Sequence, residues 1–183
     1  LSAKVQVLLN MTGWASFDET KTYRYELGRS LDPDSRHGSL IVIGLNPSAA
    51  DETQDDPTVR RCIGYARRWG HSELVMLNLF AYRATDPREL RRKHETGVDI
   101  IGSCNDAVIL RLVVGNDLRI LLAWGAHGTW LDRGDRIVRL IQASRRRGSM
   151  KRVFHLGLTA SGQPKHPLYL RADLEPIPWR LSP

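Results

Sequence analysis

A chain of 183 residues, 42% of them hydrophobic, can bury one sizeable core, and no linker-like stretch divides it, so a single domain over residues 1–183 is expected. No run approaches the roughly 20 apolar residues of a membrane-spanning helix, so a helical membrane protein is excluded. The net charge of +7, from 27 Lys and Arg against 20 Asp and Glu, favours a polyanionic partner, nucleic acid first. The basic residues gather at Arg60/Arg61, Arg67/Arg68, Arg88 with Arg91/Arg92/Lys93, and Arg145/Arg146/Arg147 with Lys151/Arg152. Cys62 and Cys104 are distant thiols without CxxC or histidine-spaced partners. The apolar patch Leu1–Leu9 has no small-residue signal cleavage site. A reduced, cytoplasmic monomer without a metal site or cofactor is expected.

The elements follow in chain order. Residues 22–31 alternate loosely and predict an added N-terminal edge strand. Leu40–Gly44 is a short apolar run that reads as a buried strand, broken by Asn46-Pro47-Ser48. Asp56 caps a helix from Pro57 to Trp69, with proline at its first position and Gly70 beyond its end. A second buried strand covers 74–80, and Asp86-Pro87 opens another helix. Further elements are a helix over about 105–114 capped by Asn105 or Ser103, a strand over 118–124, an amphipathic helix over 133–145 and a strand over 152–156. Strands alternating with helices predict an α/β fold: a three-layer sandwich with a mainly parallel four-stranded central sheet.

The predicted strands end in polar or glycine-bearing segments: Gly44 to Ser48, Asn78 with Arg83, Trp124 to Gly128, and Gly157 to Tyr169. In open α/β sheets that edge is where ligands bind. Asn46, with its backbone restricted by Pro47, can orient water or read a base edge through its amide. Asp51 and Asp55 are candidate general bases, whereas Asp56 reads better as the helix cap. Thr58, Arg60 and Arg61 at the helix start suit an anion. Arg83 is a second anion candidate or the ion-pair partner of Asp86. His166, framed by Pro164 and Pro167, can donate to a developing anion or exchange a proton. Gly44, Pro47, Ser48, Asn78, Trp124, His127, Lys165 and Tyr169 complete the candidate binding set, Trp124 or Tyr169 stacking on a base.

The patterns GLNPSxAD, DDPTxRRC, NLFAxRATDP, AWG and LGxTxxGxPxHPLYL resemble a bacterial and phage family catalogued as a domain of unknown function, over about Tyr23 to Leu170. More distantly, a strand leading into GLNPS, a strand followed by Asn-Leu, a strand ending in Trp-Gly and a late His-Pro are similar to the uracil-DNA glycosylase superfamily. That resemblance implies a glycosylase-like fold. It also implies that Asn46 holds the hydrolytic water and that His166 faces the departing base. Ser48 stands where the superfamily's mismatch-specific branch has Gly, and His-Pro-Leu-Tyr where His-Pro-Ser-Pro is common.

The expected function is therefore hydrolysis of an N-glycosidic bond to a modified or damaged base in DNA, in repair or phage defence. Two alternatives stand beside it: a Mg²⁺-dependent nucleotide- or nucleoside-processing enzyme, and a nucleic-acid-binding module without catalysis.

Overall fold

The computed structural model describes residues 5–10, 13–114, 118–144 and 152–180. The basic residues Arg145, Arg146, Arg147 and Lys151 lie outside them. Among the described residues, eight strands form one sheet: β1 (Val5–Asn10), β2 (Gly13–Asp18), β3 (Arg24–Ser30), β4 (His37–Gly44), β5 (His71–Asn78), β6 (Arg119–Leu122), β7 (Arg152–His155) and β8 (Ile177–Pro178). Their order is β1-β2-β3-β5-β4-β6-β7-β8. Four α-helices of the described residues accompany them: α1 (Pro57–Arg68), α2 (Pro87–Glu95), α3 (Asn105–Val113) and α4 (Arg133–Ala143).

The sheet is mixed, and larger than the sequence suggests. Pairing is parallel for β5–β4, β4–β6 and β6–β7, and antiparallel on both flanks. The expected edge strand at 22–31 becomes β3, which lies inside the sheet between β2 and β5. β2, sequence GWASFD, has too few β-branched residues to stand out locally. Its place comes from cross-strand pairing, Ala15 opposite Leu27, both fully buried.

Alternate residues of β4 feed opposite faces, as the strand period of two requires. Ile41 and Ile43 join the cluster containing Ile109 and Val113 of α3 and Ile137 and Ile141 of α4. Leu40 and Val42 join the cluster containing Val59, Cys62, Tyr65 and Ala66 of α1. Helices therefore cover both faces of the sheet. Among the described residues, no helix is long and apolar enough to cross a membrane.

Two predicted boundaries moved for a physical reason. β5 ends at Asn78, so Leu79 and Phe80 belong to a loop that is nonetheless fully buried. That loop is hydrogen-bonded like a strand: Leu79 N–H donates to Gly44 O and Phe80 N–H to Leu45 O, both at 2.9 Å. At α3 the cap position falls to Cys104, which makes no side-chain capping bond. Asn105 instead donates to Asn78 O and Leu79 O, each at 3.1 Å, tying the helix start to the end of β5.

Candidate functional site

The carboxyl ends of β4 and β5 meet the start of α1 and the loop after β7 around a small cavity of about 40 Å³. Gly44, Asn46, Ser48, Thr58, Asn78 and His166 line it, as do Arg24 and Asp56.

Asn46 is fixed by its amide nitrogen, which donates to Ala84 O at 2.7 Å and to Pro47 O at 3.0 Å. Its carbonyl oxygen has no hydrogen bond among the described residues and keeps a set direction as an acceptor. His166 is presented by the turn between Leu158 and Pro164, which pair as a β-bridge. Its Nδ1 accepts the Leu168 N–H at 3.4 Å, which favours the proton on Nε2. Burial holds the imidazole below the ordinary histidine range, against the opposing pull of Asp56. At neutral pH this side chain is an uncharged donor.

The loop carrying His166 is docked by two glycines. Gly125 sits at φ +74°, donates its N–H to Pro164 O at 2.8 Å, and would place a Cβ 3.3 Å from the His166 Cβ. Gly128 lies against Trp124, whose Nε1–H donates to Gln163 Oε1 at 2.7 Å. A Cβ on Gly128 would stand 2.0 Å from Trp124 Cδ1 and 2.7 Å from Gln163 Oε1. Gly128→Ala is expected to cost about 1–3 kcal/mol through overpacking, measured by urea denaturation, and to change the Trp fluorescence of the folded state.

The structure redistributes the acidic residues. Asp51 accepts from Thr53 N–H and Oγ1–H and from Gln54 N–H, at 2.8–2.9 Å, closing a turn. Burial alone would raise its pKa, but those bonds outweigh it and lower it. Asp55 pairs with Arg29 at 2.8 Å. Neither lines the cavity. Asp56 does, while also capping α1 by accepting Val59 N–H at 2.9 Å. The sequence favoured the capping role over that of a general base, and the structure shows Asp56 capping the helix and lining the cavity at once.

Three arginines sew down the loop between β4 and α1. Arg83 donates to Ser48 O and Ala49 O, Arg24 to Ala50 O, and Arg29 to Asp51 O and Gln54 O. Arg83 is thus neither at the cavity nor paired with Asp86, which binds Arg88 instead. Burial pushes Arg24 down to about 10, opposed by Asp56 and reinforced by Arg83 and Arg29.

The remaining candidates lie around the cavity rather than in it. Trp124 is 2% exposed and cannot stack on a ligand as it stands. Pro47 is buried, its carbonyl engaged by Asn46 and by Ala84 N–H. Arg60 and Arg61 line an open depression of about 370 Å³ beside Leu168. His127 is exposed and lines another, of about 480 Å³, with Arg88, Arg91 and Trp130. Leu45 borders both that depression and the cavity. Lys165 is exposed, and Tyr169 is 88% exposed. Among the described residues, no group of three or more His, Cys, Asp or Glu could hold a metal ion.

The fold and site define an α/β protein with a polar cavity at the carboxyl edge of a mixed sheet. Residues 24–168 match the family described as Protein of unknown function (DUF1643), and the chain belongs to that family. No curated protein matches it, and no solved structure does.

Proposed function

We propose that the protein hydrolyses the N-glycosidic bond of a modified or damaged base in DNA. One observation carries this reading. The Asn46 amide nitrogen is held by two carbonyls, its oxygen makes no hydrogen bond among the described residues, and the side chain lines a small cavity shared with a neutral His166. The resemblance to the uracil-DNA glycosylase superfamily assigns the same two residues to water and leaving base, and a glycosylase-like fold belongs to the same proposal.

In this mechanism the flipped base lies across the mouth of the cavity. The C1′–N bond breaks with its electron pair going to the base, and the sugar becomes oxocarbenium-like. Water held by Asn46 Oδ1 adds to C1′ and gives its proton to the Asp56 carboxylate. The His166 Nε2–H donates to the oxygen on which the base's charge collects. No step calls for a metal ion. The Mg²⁺ reading needs free carboxylates, and Asp51 and Asp55 are committed to a turn and an ion pair.

The test is incubation in EDTA with natural, deaminated, oxidised and phage-modified DNAs, scoring free base and abasic sites. Wild type runs beside Asn46→Ala and His166→Ala. Release lost in both variants supports the reading. No release from any DNA sinks it, and tight binding without release points to the binding module.

DNA contact would use the depressions flanking the cavity, through Arg60 and Arg61 on one side and Arg88, Arg91 and His127 on the other. Each phosphate contact contributes roughly 0.9 to the slope of log K against log salt. Arg60→Ala/Arg61→Ala is therefore expected to lower that slope by about 2 in fluorescence anisotropy titrations.

A further inference from the structure

Arg24 is the most unusual side chain of the cavity. It is 2% exposed and comes from β3, a strand whose neighbours are otherwise buried. Its Nη1–H donates to Ala50 O at 2.8 Å, while its Nε–H is buried without a partner. It forms no ion pair among the described residues. Asn78, 3% exposed at the end of β5, likewise has a buried Nδ2 without a partner. Both side chains line the same cavity. A buried cation without a direct ion pair is costly, and so is each buried N–H left unpaired.

We propose that Arg24 and Asn78 form the floor of an anion site, which takes one anionic oxygen of the ligand that this cavity binds. A neutral carbonyl or a water would satisfy the N–H groups but bring no charge to a guanidinium that has no direct ion pair among the described residues and chiefly the Asp56 carboxylate acting on it across the cavity. The two unpaired donor atoms, Arg24 Nε and Asn78 Nδ2, offer hydrogen bonds for one anionic oxygen at this wall. Asp56 on the same wall accepts Val59 N–H through one oxygen and, as a carboxylate, keeps the local charge from favouring a dianion. The ligand class is thus a singly charged oxygen, carried by a carboxylate or enolate-like ring oxygen, or by a phosphoryl group. This deepens the hydrolase reading by naming a property of its substrate, yet it is measured by binding and requires no turnover.

The experiment follows the Arg24 Nε–H and Asn78 side-chain amide signals by NMR in isotope-labelled protein. Sodium formate and inorganic phosphate are titrated separately at constant ionic strength. The expected result is saturable displacement of both signals. Tighter binding of formate identifies a planar carboxylate or enolate oxygen, and tighter binding of phosphate a phosphoryl oxygen. Asn78→Asp places a like charge on the anion's position and should weaken binding by about 100-fold, the scale of like-charge juxtaposition in a desolvated site. The same variant supplies Arg24 with a counter-charge, so its melting temperature should equal or exceed that of wild type.

Should Asn78→Asp fail to fold, Arg24→Lys carries the test. It keeps the charge but loses the Nε–H and should weaken formate and phosphate by at least about tenfold. Absence of displacement by either anion, or wild-type affinity in the variant, overturns the proposal. Anion binding that persists in a protein releasing no base would sink the hydrolase reading alone.

Discussion

His166→Ala should lower base release by about 10²–10³-fold, the usual loss when one donor to a developing oxyanion is removed. The effect belongs in the chemical step, because a neutral Nε2–H donor gains most when charge has collected on the leaving base. Substrate binding should change far less, so single-turnover rates fall while DNA affinity holds. His166→Gln, which keeps a donor, should recover part of the loss. If His166→Ala releases base at the wild-type rate on the wild-type substrate, the proposed role is wrong.

The same histidine makes a pH prediction whose sign follows from burial. Its folded pKa lies below the unfolded value of about 6.5, because burial disfavours the imidazolium. The folded state therefore binds fewer protons than the unfolded state. The stability contributed by neutral His166 is complete above the unfolded value and is lost as pH falls from there through the folded value. His71, also depressed by burial, adds a loss of the same sign. Thermal melts of wild type should decline below about pH 6.5, and His166→Ala should decline less steeply.

Arg133→Ala is the substitution expected to cost most stability, about 3–5 kcal/mol in urea denaturation. The Arg133 side chain is 1% exposed and pairs with Asp106 at 2.7 Å. Its Nε–H and Nη2–H both donate to Leu79 O, at 3.0 and 2.8 Å. Removing it leaves Asp106 with the exposed Arg136 alone and opens a void under the loop that follows Asn78. Arg133→Met, which fills the volume without a charge, should cost clearly less. Equal costs for the two variants would mean that packing, rather than the buried charge network, holds this loop.

Local sequence determined the parts of the fold with a short-range cause. Apolar runs set the cores of β4, β5 and β6, and Asp-Pro pairs opened α1 and α2 with Asp56 and Asp86 as their caps. The strand-end residues Asn46, Asn78 and His166 were legible because glycine, proline and asparagine punctuate a chain at such ends. What came from tertiary structure alone has a different physical origin. β2 and the interior position of β3 depend on pairing between distant segments, which leaves little local trace. The acidic stretch showed four similar side chains, and only packing decided that Asp51 closes a turn, Asp55 pairs with Arg29 and Asp56 faces the cavity. Arg24 gave no local sign at all. An arginine in a strand reads as solvated until the sheet, α1 and the loop at 46–56 close over it and turn it into a buried charge without a direct ion pair among the described residues.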